Sequence, residues 1–169
     1  MLKSHSMYIR TRNYAFVDGN NLYLSAKELG WKLGYRKFRT YLSDKYRVAV
    51  AYYFIGYIPD NESLYDNLRN DGFNLIFKEV SRDDRDNIKG NIDAELVLQA
   101  MIDINEYDKA VIVTSDGDFA CLVKYLLQKE KLHTVLASSK SSCSKLLSRA
   151  AGTRIDYLDS LRNKLEYKK

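Results

Sequence analysis

The order of the predicted elements is that of an α/β protein, in which a central, mainly parallel sheet of five or six strands lies between two layers of helices. Short, nearly continuous apolar runs alternate with segments of helical periodicity. Strands that are apolar on both faces are typical of parallel sheets covered on both sides. The 169 residues include one proline and eight glycines, which is the composition of an ordinary folded domain rather than of a disordered or repetitive chain.

Strands and helices alternate along most of the sequence. The predicted strands cover residues 14–18, 47–56, 73–80, 109–114 and 133–137. Helical periodicity covers residues 22–29, 36–46, about 61–70, 93–104 and 118–130, and a further helix follows the serine-rich segment 138–144. A charged loop is expected at residues 81–91. We expect residues 1–13 to form a basic arm and residues 14–169 to form a single domain that ends in a basic helix.

The net charge of +5 is unevenly distributed along the sequence. Residues 1–13 carry three basic and no acidic side chains, residues 14–139 carry 16 basic and 19 acidic ones, and residues 140–169 carry eight basic and three acidic ones. A polyanionic partner lying across the two ends would produce this asymmetry, although solvated tails often have it too.

Two classes of protein are disfavoured by simple counts. The longest apolar stretch, residues 48–58, spans eleven residues and contains Gly56, whereas a membrane helix needs about 20, so no membrane segment is predicted. The two cysteines, Cys121 and Cys143, have neither a zinc-binding spacing nor a disulfide framework. A reducing compartment follows, and we expect the cytoplasm.

Four aspartates are expected to meet at one edge of the sheet. Asp18 closes the first strand, and Asp116 and Asp118 directly follow the strand at residues 109–114. In an open parallel sheet the ligand crevice lies beyond the carboxyl ends of the strands. Asp93 starts a helix whose preceding loop must cross the same edge. Taken singly, Asp116 or Asp118 is more often a helix cap than a catalytic group, and the conjunction of the set is what favours a site.

A cluster of four carboxylates must be neutralised. Two like charges about 4 Å apart repel by about 4 kcal/mol at an effective dielectric constant of 20, which is large against a domain stability of about 5 to 15 kcal/mol. Protons, basic side chains or divalent cations can compensate this charge. Oxygen ligands without histidine or thiolate suit Mg²⁺ or Mn²⁺, and such ions support the cleavage of phosphodiester bonds.

Three motifs resemble the NYN domain family, in the LabA-like branch of the PIN-like nuclease superfamily. They read FVDGNNL at residues 16–22, KGNIDAELVLQAM at 89–101 and VIVTSDGDFACLV at 111–123. The resemblance extends over most of the chain and implies a PIN-like, Rossmann-like fold and a metal-dependent ribonuclease. The sequence reads Thr-Ser-Asp-Gly-Asp where many members have Ser-Gly-Asp-Ser-Asp, and we interpret the change as one of loop geometry.

The resemblance also implies roles for individual residues. It makes Asp18, Asp93, Asp116 and Asp118 the catalytic, metal-binding set for Mg²⁺ or Mn²⁺. Asn21 would orient Asp18 or a bound phosphate. Thr114 would present its hydroxyl group to the acidic cluster. RNA, most simply a single strand, is the expected partner, with DNA and a homodimer left open.

Basic residues near the predicted crevice are candidates for nucleic-acid binding. Lys89 precedes Asp93 and is either a phosphate contact or a structural counter-ion. Lys140 and Lys145 flank the serine-rich segment, and together with Arg149 they could follow a nucleic-acid backbone, in which case affinity would fall steeply with salt.

Two alternative functions stay open at this point. A haloacid-dehalogenase-like phosphatase also uses an aspartate after its first strand, but it needs a second one two positions later as a general acid, and Asn20 stands there. A non-catalytic, nucleic-acid-binding regulatory module would use the acidic cluster only to hold a structural ion. A dinucleotide oxidoreductase is disfavoured, because no glycine-rich phosphate loop follows the first strand.

Overall fold

The protein folds around one six-stranded sheet in which every strand is parallel to its neighbours. The computed structural model describes residues 11–79, 81–82, 88–89 and 91–168. Within this part of the chain the predicted α/β architecture, with helices on both faces of a parallel sheet, is confirmed. No helix among the described residues is long and apolar enough to cross a membrane. Both cysteines are free thiols, of which Cys121 is exposed and Cys143 buried.

The strands of the main sheet are buried and rich in β-branched and aromatic residues. They are β1 (Asn13–Asp18), β2 (Val48–Tyr57), β3 (Asn74–Glu79), β6 (Ala110–Val113), β7 (Leu132–Ala137) and β8 (Ile155–Tyr157), with a separate antiparallel pair formed by β4 (Ser81–Arg82) and β5 (Ile88–Lys89). The order across the main sheet is β3-β2-β1-β6-β7-β8.

Seven α-helices are found in the described part of the chain. They are α1 (Gly19–Glu28), α2 (Tyr35–Tyr46), α3 (Glu62–Asn70), α4 (Asp93–Ile102), α5 (Ala120–Gln128), α6 (Lys145–Ala151) and α7 (Arg162–Leu165). Short 3₁₀ turns precede three of them, at Pro59–Asn61, Gly117–Phe119 and Asp159–Leu161.

Alternate residues of each strand face opposite helical layers. Along β1, Phe16 packs into a core with residues of α4, α5 and α6, whereas Ala15 and Val17 pack into a second core with residues of α1, α2, α3 and α7. All three residues are fully buried. This two-sided burial explains why the strand pattern is continuously apolar rather than alternating.

Three details differ from the sequence-based expectations. β1 begins at Asn13, whose buried side chain donates to the Tyr46 carbonyl and accepts from the Lys109 amide, so this residue belongs to the sheet rather than to the basic arm. The charged loop predicted at residues 81–91 contains the pair β4 and β5, whose two-residue strands are too short to produce a periodic pattern. The basic C-terminal region includes β8 as well as helices, and three residues are again too few for a pattern.

The order of the strands reverses between β1 and β6, which lie side by side at the centre of the sheet. From β1 the chain proceeds to β2 and β3 on one side, and from β6 to β7 and β8 on the other. The helix after β1 packs on one face of the sheet and the helix after β6 on the other. A crevice is therefore expected beyond the carboxyl ends of these two strands, where Asp18 and Asp116 lie.

The tight passage from β1 into α1 gives a first prediction. A Cβ atom on Gly19 would overlap the ring of Tyr53 and lie 2.6 Å from the Phe54 carbonyl oxygen. We expect Gly19→Ala to lower the free energy of unfolding by about 1–3 kcal/mol, as overpacking typically does. Urea denaturation followed by circular dichroism measures this. Asn20→Ala, at the exposed neighbouring position, is the control, and an equal loss in both variants would contradict the steric explanation.

Candidate metal centre

Asp18 combines a structural and a potential ligand role at the junction of β1 and α1. Its Oδ1 atom accepts a hydrogen bond from the Asn21 amide at 3.0 Å, which caps α1. Its Oδ2 atom accepts one from the Thr114 hydroxyl at 3.1 Å. The residue is only 5% exposed, so the direction of its carboxylate is fixed by these two donors.

The turn after β6 places two further carboxylates beside Asp18. The Thr114 hydroxyl, which donates to Asp18, also accepts the Asp116 amide at 3.2 Å. Asp116 in turn caps the 3₁₀ turn by accepting the Asp118 amide at 3.0 Å. Helix capping and membership of the acidic cluster are thus properties of the same side chains, since a cap leaves the second carboxylate oxygen available.

Asn21 joins the two strand ends. Its backbone amide donates to Asp18, whereas its side-chain oxygen accepts the Ser115 amide at 2.8 Å. The predicted orienting effect on Asp18 therefore comes from the backbone, and the side chain instead holds the turn that carries Asp116. Asn21 also lines the cavity between these residues, so its remaining amide group is available to a ligand.

Asp93 reaches the site from α4, on a different part of the chain. Its amide donates to the side-chain oxygen of Asn91 at 2.9 Å, which orders the entry into the helix. One carboxylate oxygen from each of Asp93, Asp116 and Asp118 lies within 4.8 Å of the other two. The expectation that distant segments bring their carboxylates together is met for these three.

A cavity of about 420 Å³ opens at this point. It is lined by acidic and amide side chains and by two apolar ones: Asp18, Asn20, Asn21, Leu24, Asn91, Ile92, Asp93 and Asp116. Asp18 therefore shares the cavity with Asp93 and Asp116, although it is not one of the three most closely grouped residues. None of these lining residues is a lysine or arginine, so no basic side chain fills the cavity.

The electrostatics show the strain of this arrangement. Burial raises the pKa of Asp18 from 3.8 to about 6, against the opposing effects of its hydrogen bonds from Asn21 and Thr114, and Asp93 and Asp116 raise it further. Burial also raises the pKa of Asp93, with additional repulsion from Asp116 and Asp118. The carboxylates thus disfavour one another's charge, which an added cation would relieve.

The donor set fits a hard divalent cation. Carboxylate and amide oxygens with neither histidine nor thiolate are the ligands that Mg²⁺ and Mn²⁺ prefer. Asp93, Asp116 and Asp118 would hold the ion, with Asp18 as the buried carboxylate of the same cavity. An ion held there could activate water or offset charge on a phosphoryl group.

The predicted basic residues divide into two groups. Lys140, Lys145 and Arg149 are all exposed. The helix that carries Lys145 begins beside the acidic turn, because the Ser144 amide donates to the Ser115 carbonyl at 3.0 Å. The side chain of Lys89 lies outside the described part of the chain, although its backbone pairs with Ser81.

Sequence reasoning missed Asn91 and Lys78. Asn91 lines the cavity, and the Lys78 ammonium group donates to the Asn91 carbonyl and lies 3.5 Å from Glu95. An asparagine two residues before a helix is a detectable capping signal. Lys78 lies on a strand thirteen residues earlier, and nothing in the sequence pattern connects it to Asp93.

The raised pKa of Asp18 predicts a pH-dependent effect of Asp18→Asn on stability. Because the folded protein binds this proton more tightly than the unfolded chain, ionisation destabilises the metal-free fold as the pH rises from about 4 to above 6. The shift corresponds to about 3 kcal/mol. Asp18→Asn should therefore raise the free energy of unfolding in EDTA by up to about 3 kcal/mol at pH 8, and by less than about 1 kcal/mol at pH 4.

Urea denaturation at the two pH values checks this, with Asp44→Asn, an exposed carboxylate on α2, as the control. The control should change the stability by no more than about 0.5 kcal/mol at either pH. A destabilised Asp18→Asn protein at pH 8 would show that the buried charge is compensated within the fold itself.

Comparison with known proteins agrees with this site. Residues 13–159 match the NYN domain. Over 161 residues the chain is 26% identical to "Low amplitude and bright protein LabA" from Synechococcus elongatus, covering 89% of this chain and 86% of that protein. A crystal structure of VPA0982, a protein of unknown function from Vibrio parahaemolyticus, covers 98% of this chain and 99% of its own with a TM-score of 0.77 and 22% identity, which shows a shared fold. Because the domain match spans most of its length, the chain belongs to the NYN domain family.

Proposed function

We propose that this NYN protein is a metal-dependent ribonuclease that hydrolyses phosphodiester bonds in single-stranded RNA in the cytoplasm. The observation that carries the proposal is the grouping of Asp93, Asp116 and Asp118 within 4.8 Å, beside a cavity that Asp18 also lines. This acidic cavity lies where the strand order reverses, which is the usual ligand position in such sheets. The relation of the family to PIN-like nucleases supports the same reaction.

The residues of the site divide the work between holding and positioning. Asp93, Asp116 and Asp118 provide the carboxylate oxygens for Mg²⁺ or Mn²⁺. Such an ion, when bound, supplies an activated water and offsets charge on the phosphoryl group. Thr114 fixes the direction of the Asp18 carboxylate, so that this group meets the cavity in one orientation.

The choice of a single strand is supported by the residues at the mouth of the cavity. Leu24 lines the cavity and is 50% exposed, and Tyr23 on the same helix is 58% exposed. Unpaired bases can stack on or pack against such side chains, with about 1–3 kcal/mol for each stacked base. Bases inside a duplex cannot make these contacts without being unpaired.

The basic residues of α6 complement this arrangement. Lys145 and Arg149 occupy successive turns of a helix that starts next to the acidic turn, and Lys140 lies in the preceding segment. All three are exposed, so they are available to phosphates on either side of the scissile bond. A repulsive acidic pocket flanked by cations favours a polyanion that brings its own divalent ions.

The first test is hydrolysis itself. The purified protein should degrade a fluorescent single-stranded RNA with Mn²⁺ or Mg²⁺, and EDTA should stop the reaction. Asp116→Asn should reduce the rate at least about 100-fold, because metal stabilisation of the transition state contributes several kcal/mol. Asparagine also caps helices, so circular dichroism should show an unchanged fold.

Two outcomes would contradict the proposal. An Asp116→Asn protein that cleaves as fast as the parent removes the metal centre from the reaction. Turnover of phosphate monoesters without cleavage of RNA would indicate the phosphatase, and RNA binding without any turnover would indicate the regulatory module. Asn20 already disfavours the phosphatase, since its side chain lies in the cavity and has no acidic proton to donate.

The second test concerns the path of the RNA strand. Lys145→Gln with Arg149→Gln should weaken RNA binding and lower the slope of log K against log salt by about 2, one for each lost phosphate contact. Fluorescence anisotropy in EDTA between 50 and 200 mM salt measures this without hydrolysis.

Lys45→Gln with Arg47→Gln removes the same charge at the amino edge of the sheet and is the matched control. It should leave the slope close to that of the parent. Equal losses in the two double variants would mean that net charge, rather than a path beside α6, determines binding.

A further inference from the structure

We infer that Lys78 is a positioning residue for the metal centre, which it serves by holding the segment that carries Asp93. The inference rests on the proposed function, because it assigns Lys78 a purpose in forming the carboxylate cluster. Lys78 is the penultimate residue of β3, at the outer edge of the sheet, and Asp93 begins α4. No cavity-lining position is occupied by Lys78, so it acts through other residues.

Two contacts join Lys78 to the start of α4. Its ammonium group donates to the backbone carbonyl of Asn91 and lies 3.5 Å from Oε1 of Glu95. These partners stand two residues before and two residues after Asp93, so the lysine grips the helix entry on both sides of the metal-binding carboxylate. The side chains of Lys78 and Glu95 are 32% and 31% exposed, which leaves their interaction only partly screened by solvent.

The entry into α4 has few other fixed points. Ile92 occupies the N-cap position and offers no side-chain hydrogen bond to the helix. The bond from the Asp93 amide to the Asn91 side chain is local, and it moves with the segment rather than anchoring it to the sheet. Lys78 therefore supplies a connection from this entry to the neighbouring sheet edge.

The charges of the site make such an anchor necessary. Asp93 must lie close to Asp116 and Asp118, and their mutual repulsion pushes the start of α4 away from the β6 turn. A cation attached to the far side of the same segment opposes that displacement. It also leaves the cavity itself free of basic side chains, so that it does not compete with the metal ion.

The experiment compares Lys78→Met with Lys78→Arg and with Lys37→Met. Lys37 also donates to a backbone carbonyl far along the chain, that of Glu166 at 2.8 Å, but away from the site, which makes it the matched control. Calorimetric titration of each purified protein with Mn²⁺ is the main readout. Hydrogen exchange of the Asp93 and Leu96 amides in the metal-free protein reports on the helix entry directly.

We expect Lys78→Met to weaken Mn²⁺ binding about 10-fold or more, as loss of an outer partner of a metal ligand typically does. Exchange of the two amides should become faster. Lys78→Arg should recover most of the affinity, because it restores a donor and a charge, and Lys37→Met should match the parent in both measurements.

Unchanged Mn²⁺ affinity and unchanged exchange in a folded Lys78→Met protein would overturn the inference. So would an equal loss in Lys37→Met. A parent protein that binds no Mn²⁺ would overturn the proposed function instead, and the exchange rates would then decide separately whether Lys78 fixes the entry of α4.

Discussion

Repulsion between carboxylates in a partly buried pocket is the constraint around which this molecule is arranged. Asp18 is almost fully buried beside Asp93 and Asp116, and its pKa rises to about 6. Isolated charges of this kind are costly in a protein interior. The protein tolerates them through rigid placement of each carboxylate, at a position where an incoming cation can compensate the cost.

The placement is achieved by local hydrogen bonds that also build secondary structure. Asp18 caps α1 and Asp116 caps the following 3₁₀ turn, while Thr114 and Asn21 connect the two turns to each other. Each carboxylate is therefore held by the same bonds that start a helix. A site built in this way is preformed, because disrupting it would require the helix starts to be remade.

Much of this could be predicted from the sequence, and the reasons are local. Continuous apolar runs around Phe16 and Ile112 indicate strands buried on both faces, and aspartates directly after them must lie at the carboxyl edge. The remaining parts depend on contacts between distant segments. Neither the link from Lys78 to Asn91 nor the short strand β8 produces a pattern, because a single long-range bond or three residues carry no periodicity.

The closeness of three of the four carboxylates is likewise a tertiary result. Sequence order places Asp116 and Asp118 together, but Asp93 arrives from a helix that follows the crossover from β3. Its position depends on how that crossover returns to the centre of the sheet. Sequence reasoning identified the residue through its motif, and only the folded chain shows that it lies within 4.8 Å of its partners.

Crystals soaked in Mn²⁺ test the central claim most directly, since anomalous scattering locates the ion without reference to activity. The account predicts an anomalous peak between the carboxylates of Asp93, Asp116 and Asp118, and its loss in Asp116→Asn crystals soaked in the same way. Crystals of the parent protein that bind Mn²⁺ only elsewhere, or not at all, with these carboxylates ordered, would contradict it.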